Sequence, residues 1–138
     1  MKVREAMAKT LSWAKKSDKV SDVAKKMKQE DAGFIPVVED GGVVIGVITD
    51  RDIVLRCIAE GHDPRGETAE HLMSRDVTII GPDDDLEEAG RTMEREEIRR
   101  LPVAENGRLV GVLSHGNLVQ ATKNQMAERV TEGVTRGA

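Results

Sequence analysis

One sequence pattern occurs twice in this chain. Residues 20–41 match residues 86–107 at an offset of 66, so that Met27 and Pro36 fall opposite Met93 and Pro102. When one residue is dropped in a turn, residues 46–54 match 111–119 at an offset of 65, and the lead-in repeats as well, 3–7 over 69–73. This period is too long for the common solenoid repeats and too short for two ordinary independent domains, so we expect the copies to complete one another's core. The repeat predicts one domain with a pseudo-twofold axis.

Each copy carries the same order of local signals. An apolar stripe at helical spacing follows Asp18 in the first copy and a predicted capping box at residues 84–87 in the second. Two short apolar runs joined by a Gly-containing turn come next, 34–38 with 43–48 and 101–104 with 109–113, and each pair predicts a hairpin. A second helix begins near Thr49 or Ser114, and short extended segments, 10–13 and 77–80, precede each first helix.

The predicted fold class is therefore α/β, with two strand-helix-strand-strand-helix repeats. We place the first repeat at residues 1–66 and the second at residues 67–122. Residues 123–138 are mostly polar and end in a Gly-containing stretch, so we expect them to form a helical extension or a frayed tail.

Composition excludes several classes of protein. With one Phe, one Trp and no Tyr, the core must be aliphatic and little aromatic surface remains for stacking nucleic-acid bases. The single cysteine, Cys57, excludes an intrachain disulfide, and no apolar run approaches the length of a membrane span. We therefore expect a cytoplasmic protein.

Charge is distributed unevenly along the chain. Residues 1–28 carry nine Lys or Arg against three acidic residues, whereas residues 29–138 carry twelve against twenty-two. One interpretation is a basic surface for an anionic partner, nucleic acid included, and the other is a solvated helix face. We favour the solvated face, and nucleic acid remains an alternative partner through the Lys-rich N-terminal segment.

The residues at the start of each second helix carry the most specific chemistry. The motif is Gly-Val-Ile-Thr-Asp-Arg-Asp at 46–52 and Gly-Val-Leu-Ser-His-Gly-Asn at 111–117. The Thr49 hydroxyl and the free amides of a helix start could hold a phosphate, and the Asp52 carboxylate could accept both hydroxyls of a ribose. Gly46 would let a ligand approach the backbone. The same spacing is also that of a capping box without any ligand.

These motifs, the tandem repeat and the apolar-Pro-Val strands resemble the CBS domain pair, the family named after cystathionine beta-synthase. The resemblance covers nearly the whole chain, and small stand-alone pairs of the hypoxic-response type look most similar. It implies two related clefts for an adenine nucleotide, AMP, ADP or ATP, or for a related adenosyl ligand. It also implies a regulatory homodimer, with an unidentified effector protein as a possible further partner. The basic first helix and its acidic counterpart favour head-to-tail pairing in such a dimer.

The resemblance also implies which residues contact the ligand. In the first copy these are Leu11, Ser12, Trp13, Ile35, Pro36, Gly46, Thr49, Arg51 and Asp52. In the second copy they are Val77, Thr78, Ile79, Arg99, Arg100, Leu101, Pro102, Gly111, Ser114, His115 and Asn117. Because Asn117 lacks the charge of Asp52, we expect the two clefts to differ.

Two arginines make the second copy basic where the first is not. Arg99 and Arg100 stand where the first copy has Gly33 and Phe34. Their guanidinium groups could bind a phosphate, or they could be solvated or paired with Glu96 or Glu97.

No other residues predict catalysis or metal binding. His62, His71 and His115 are scattered, no Cys or His has metal-ligand spacing, and Cys57 lies on an apolar helix face. No nucleophile, base and orienting acid recur in a catalytic order, so we expect neither enzymatic activity nor a catalytic cofactor. A structural or protein-interaction module without a small-molecule ligand remains the alternative to a sensor.

Overall fold

The computed structural model describes residues 1–9 and 12–137, with side chains as far as residue 133. Its first unit consists of β1 (Ala14–Lys15), α1 (Val20–Glu30), β2 (Phe34–Val38), β3 (Val44–Thr49) and α2 (Asp50–Asp52), which continues as a π-helix over Ile53–Ile58. A short helix, α3 (Ala69–Leu72), precedes the second unit of α4 (Leu86–Glu96), β4 (Arg100–Glu105), β5 (Arg108–Ser114) and α5 (His115–Gly137). The predicted α/β fold is confirmed.

Helices α1 and α4 are equivalent in length, buried face and ending. Each has 11 residues and buries apolar side chains at helical spacing, among them Val23 and Met27 in α1. Each ends in a residue with left-handed backbone, Asp31 at φ 52° and Glu97 at φ 55°. The next amide then bonds back to a methionine carbonyl in the helix, which satisfies groups that a helix end leaves free.

The helix starts differ from the sequence prediction. No capping box forms at residues 84–87, because the Asp84 carboxylate accepts a hydrogen bond from the Gly81 amide instead. The Asp18 carboxylate likewise accepts a hydrogen bond from the Lys15 amide. The first amides of α1 and α4 are satisfied by carbonyls distant in sequence: Val20 donates to Glu67, and Leu86 donates to Met1. Only the tertiary fold supplies these acceptors.

Both hairpins form, and their turn ends meet. Strand β2 pairs antiparallel with β3, β4 pairs with β5, and the second turn places Asn106 and Gly107 at φ 54° and 82°, as a tight two-residue turn requires. The Val44 amide donates to the Gly107 carbonyl, so the two turns are joined. Residues 10 and 11 of the first predicted extended segment lie outside the described residues. Residues 12 and 13 form no strand, and β1 lies at Ala14–Lys15. Residues 77–80 form no strand beyond a single bridge at Ile80.

The two units exchange their lead-in segments. Residues 1–8 lie on the second unit, where the Val3 amide donates to Asp84 and Ala8 forms a bridge with Val112. Residues 64–74 lie on the first unit, where Ser74 forms the equivalent bridge with Val47. Each copy therefore supplies a segment that completes the other, as the length of the repeat predicted.

The buried side chains show the same exchange. Val3 packs into the second core with Leu86, Leu101 and Leu113. Ala69 and Met73 pack into the first core, which is built on α1, β2 and β3. Each core therefore includes apolar side chains from the lead-in segment of the other copy.

Helix α5 extends well beyond the second core. Its first turns pack through Leu118 and Ala121, whereas Met126 and Val130 are exposed further along. Within the described residues, no helix combines the length and the hydropathy that crossing a membrane requires.

Candidate functional site

Thr49 and Asp52 form a reciprocal cap at the start of α2. The Asp52 amide donates to the Thr49 hydroxyl at 3.2 Å, and the Thr49 amide donates to the Asp52 carboxylate at 2.9 Å. The other Asp52 oxygen lies 3.8 Å from Arg56 Nε. The capping interpretation of this motif therefore describes the structure.

The amides at the start of α2 already have acceptors. The Asp50 amide donates to the Gly33 carbonyl at 3.0 Å, and the Arg51 amide donates to the Asp50 carboxylate at 2.8 Å. Together with the Asp52 amide, these groups are not free to hold a phosphate in this conformation. The interpretation of Thr49 as part of a ready anion site is corrected accordingly, because Asp50 places its own anion there.

A cavity of about 760 Å³ opens beside this cap. Its first wall comes from the first unit, at the start of β2, the end of β3 and the start of α2. The lining residues there are Gly33, Phe34, Val47, Thr49, Asp50 and Asp52. Its volume falls in the range of about 300–1,000 Å³ that is typical of small-molecule sites.

The rest of the cavity wall comes from the segment between the two units and from the second unit. Part of it is the segment that crosses between the units, with Ser74, Asp76, Val77 and Thr78. The rest is the junction of α4 and β4, with Glu96, Ile98, Arg99, Arg100 and Pro102. We call this cavity the first cleft. The structure thus joins the polar motif of one copy to the basic and proline residues of the other, rather than gathering each copy's residues in a cleft of its own.

Arg99 and Arg100 bring positive charge to the first cleft. Neither guanidinium group forms a hydrogen bond or an ion pair with a described residue. Glu96, which could have paired with them, instead accepts a hydrogen bond from the Thr78 hydroxyl at 2.8 Å. Both arginine side chains are therefore available to an anion in the cleft.

Several predicted contact residues lie in the cores instead. Ile35 is fully buried in the first core and Leu101 in the second, within the consecutively buried stretches of β2 and β4. Pro36 and its counterpart Pro102 are fully buried as well, although Pro102 lies in the wall of the first cleft. Ile35 and Leu101 therefore cannot contact a ligand with their side chains in this conformation.

The glycine that recurs in the two motifs makes room for another backbone segment, whereas the sequence predicted the close approach of a ligand. A Cβ atom on Gly46 would lie 2.8 Å from both Met73 Sδ and the Ser74 carbonyl oxygen. Gly111 has the same relation to Met7 and Ala8, at 2.9 and 2.7 Å. These glycines admit the exchanged lead-in segments, and neither lines the first cleft.

The other described first-copy residues do not line the first cleft. Trp13 is 45 % exposed and lines a separate cavity with Lys15 and the turn between β2 and β3. Ser12 is half-buried, the Arg51 side chain is exposed, and Leu11 lies outside the described residues.

The second-copy motif forms the same kind of cap. The Asn117 amide donates to the Ser114 hydroxyl at 3.0 Å, and the Ser114 amide donates to the Asn117 side-chain oxygen at 3.1 Å. His115 lines a third cavity between α4 and α5, and Ile79 is exposed beside the crossing segment. Of the described second-copy predictions, the first cleft gathers Val77, Thr78, Arg99, Arg100 and Pro102.

Sequence reasoning missed three acidic residues of the first cleft. Asp50 lies within the motif at residues 46–52 but was not predicted to line the cleft, and Glu96 was predicted only as a partner for the arginines. Asp76 precedes a segment, residues 77–80, that the sequence predicted as extended, and nothing in its local pattern marks it. Since all three line the cavity only after the two units come together, spacing alone could not have identified them.

Two of the three histidines lie close to the same carboxylate, that of Glu67. His62 Nδ1 and His71 Nδ1 lie 3.8 and 3.6 Å from Glu67 Oε2. Burial raises the pKa of the nearby Cys57 thiol, and the charges of Glu67 and Asp63 raise it further. Across the described ranges, no three His, Cys, Asp or Glu side chains are placed so that they could share a metal ion.

About half of the basic residues of the N-terminal segment are paired with acidic residues. Lys2 and Arg4 both contact Asp83, at 3.6 and 2.8 Å. Lys25 and Lys26 pair within the same segment, with Asp22 and Asp18. Such ion pairs are typical of a solvated surface rather than of a surface that binds nucleic acid.

Comparisons with known proteins agree with this architecture. The family model described as "CBS domain" matches residues 3–58 and 69–124. The CBS domain-containing protein YhcV of Bacillus subtilis is 37 % identical over 125 residues, which cover 91 % of this chain and 86 % of that protein.

Two solved structures have the same fold. Hypoxic Response Protein I with two coordinated zinc ions superposes with a TM-score of 0.81 at 28 % identity, covering 87 % of this chain and 98 % of that one. CBSX2 in complex with AMP superposes with a TM-score of 0.79 at 26 % identity, covering 91 % and 98 %. The two matched segments, the exchanged lead-ins and the paired caps lead to one conclusion: this chain belongs to the CBS domain family and carries the domain twice.

Proposed function

We propose that the first cleft binds an adenine nucleotide or a related adenosyl ligand, and that the chain is a regulatory sensor rather than an enzyme. One observation carries the proposal: the Thr49–Asp52 motif and the free Arg99 and Arg100 side chains line the same cavity. A ribose and its phosphate need this combination of a carboxylate and unpaired guanidinium groups. The AMP complex of CBSX2, which has the same fold, supports the choice of ligand class.

The two ends of the ligand would bind to different walls. The Asp52 carboxylate, which is partly exposed, would accept ribose hydroxyls, and the arginines would bind the phosphate. Because the helix-start amides are engaged with Gly33 and Asp50, we assign the phosphate to the Arg99 and Arg100 side of the cleft. The base would lie against Val77, which is partly exposed in the cleft, and against backbone groups near Pro102, whose side chain is buried.

Such a ligand would act on the contact between the two units. The walls of the first cleft belong to different units, so a bound ligand favours the arrangement of the two units that brings both walls closest to it. A ligand shifts a conformational equilibrium only through a difference in its affinity for the two states. The unidentified effector protein would respond to that shift, and we expect this to take place in the cytoplasm.

Thermal unfolding in the presence of AMP, ADP, ATP, NAD and S-adenosylmethionine tests the proposal. A ligand that binds the folded protein raises the Tm progressively with its concentration. Calorimetry on an Arg99→Ala/Arg100→Ala variant should show weaker binding. The control is Arg91→Ala, which removes an arginine that pairs with Glu88 on another face. If none of the five compounds raises the Tm, the structural or protein-interaction alternative is favoured.

We also propose that a second copy of the chain covers the outer face of α2. Val54, Leu55 and Ile58 are 56, 46 and 55 % exposed on one short helical segment. Apolar side chains grouped in this way are typical of an interface. A closed twofold dimer would bury this face once on each protomer.

Charge favours the head-to-tail orientation of that dimer. Helix α1 is rich in lysine, and α4 is rich in glutamate, so unlike helices attract when opposite repeats meet. Single-cysteine variants at Lys26 and Glu88, in a Cys57→Ser background, should give mixed crosslinks. Efficient Lys26-to-Lys26 crosslinking without the mixed product would show that apolar packing sets the orientation instead.

A further inference from the structure

The first cleft contains more carboxylates than cationic groups. Four carboxylates and two guanidinium groups line it. Asp52 lies near Arg56, at 3.8 Å. Among the described residues, Asp50, Asp76 and Glu96 have no partner in an ion pair. A ligand in this cleft therefore meets three carboxylates that no cation neutralises.

The two arginines match the charge of one phosphate group. A phosphate monoester carries about −1.5 to −2 charges at pH 7, which two guanidinium groups can balance. The start of α2 adds no further capacity, because its amides bond to Gly33, Asp50 and Thr49. A second or third phosphate would have to lie in the remaining, acidic part of the cleft.

We infer that the first cleft selects adenosyl ligands with a single phosphate and that Asp76 and Glu96 reject longer phosphate chains. The inference rests on the proposed function and names the subclass of ligand. Glu96 is held in place by its hydrogen bond from Thr78, and Asp76 lies two residues before Thr78 on the crossing segment. Asp50 adds to the repulsion, but it also bonds to the Arg51 amide at the start of α2.

Coulomb's law sets the size of the effect. One carboxylate about 4–6 Å from an added phosphate charge weakens binding roughly three- to sixfold in water-like surroundings. Two carboxylates together should therefore give a preference of about tenfold or more for AMP over ATP. Salt reduces the preference, since these groups are exposed and the Debye length shortens.

Calorimetry with AMP and ATP, in low salt with EDTA to remove divalent cations, tests the inference. The wild type should bind AMP about tenfold more tightly than ATP. The Asp76→Asn/Glu96→Gln variant should lower this ratio by about threefold or more, mainly by improving the affinity for ATP. The control is Glu94→Gln, which removes a carboxylate from the same helix but lines the cavity between α4 and α5; its ratio should equal that of the wild type.

The outcomes separate the inference from the proposed function. If the wild type binds ATP as tightly as AMP, or if the double variant keeps the wild-type ratio, the selection by Asp76 and Glu96 is overturned while adenosyl binding stands. If neither AMP nor ATP binds, the proposed function and the inference both fail. Equal loss of the ratio in the Glu94→Gln control would assign the effect to net charge rather than to the cleft, and would also overturn the inference.

Discussion

Replacing Asp52 by asparagine separates the two roles that this residue would have. The chain contains its own reference for the change, because Asn117 already forms the equivalent cap with Ser114 at 3.0 and 3.1 Å. Asp52→Asn should therefore keep the cap on Thr49 and remove only the negative charge. Asp52→Ala removes the charge and the side-chain half of the cap, so the two variants together distinguish a capping residue from a binding residue.

The expected effect on stability follows from the contacts that are lost. Asp52→Asn gives up the 3.8 Å approach to Arg56, worth about 0–1 kcal/mol, and the favourable placement of a charge at a helix start, worth about 0.3–1 kcal/mol. We expect a decrease of about 1 kcal/mol in the free energy of unfolding. Asp52→Ala also loses the hydrogen bond from the Thr49 amide to the carboxylate, which costs about 0.5–1.5 kcal/mol more, while the Thr49 hydroxyl still accepts the backbone amide of residue 52.

The expected effect on binding is larger for the same change. A hydrogen bond to a charged acceptor contributes about 1.5–3 kcal/mol, and one to a neutral acceptor contributes about 0.5–1.5 kcal/mol. The difference of about 1–1.5 kcal/mol predicts AMP affinity about five- to tenfold weaker for Asp52→Asn. Isothermal titration calorimetry and urea unfolding on the three proteins measure both quantities. An AMP affinity for Asp52→Asn within twofold of the wild type would refute the assignment of Asp52 to the ribose and leave the residue as a cap.

Three further results are expected from local geometry. Gly46→Ala places a methyl group against a backbone carbonyl and should lower the free energy of unfolding by about 1–3 kcal/mol. The control, Gly133→Ala, lies in open space on α5 and should leave the free energy of unfolding unchanged or raise it by up to about 1 kcal/mol. Equal effects of the two substitutions in urea unfolding would contradict the close approach at Gly46. Since burial raises the pKa of the Cys57 thiol, iodoacetamide at pH 8 should alkylate it slowly in the native protein and rapidly in urea, and equal rates would show that it is accessible. The Arg4 guanidinium lowers the pKa of the Asp83 carboxyl, so this contact stabilises the protein above the usual aspartate pKa, and the stabilisation is lost as the pH falls through the lowered pKa. Asp83→Asn should therefore lower the Tm at pH 7 but not in strong acid. A Tm decrease that persists in strong acid would show that the decrease has another cause.

The sequence by itself predicted the features that depend on neighbouring residues. Helices α1 and α4 follow from apolar spacing over about three turns, and the second hairpin follows from Asn106-Gly107 between apolar runs. The cap of Thr49 with Asp52 follows from a spacing of three residues. Each of these signals lies within a short stretch of chain, where backbone geometry restricts the possible contacts. The repeat itself also predicted that the two copies share a core.

Only the tertiary structure decided which copy supplies each part of the site. The first cleft joins Thr49 and Asp52 to Arg99 and Arg100 because residues 64–74 cross onto the first unit and residues 1–8 onto the second. Many pairings of distant segments are compatible with the same local pattern, and the choice among them depends on which one closes both cores. The same choice buries Ile35 and Leu101, gives Gly46 its packing role and brings Asp76 and Glu96 to the cavity. Contacts between residues far apart in sequence depend on the free energy of the whole fold, and a local pattern does not contain that information.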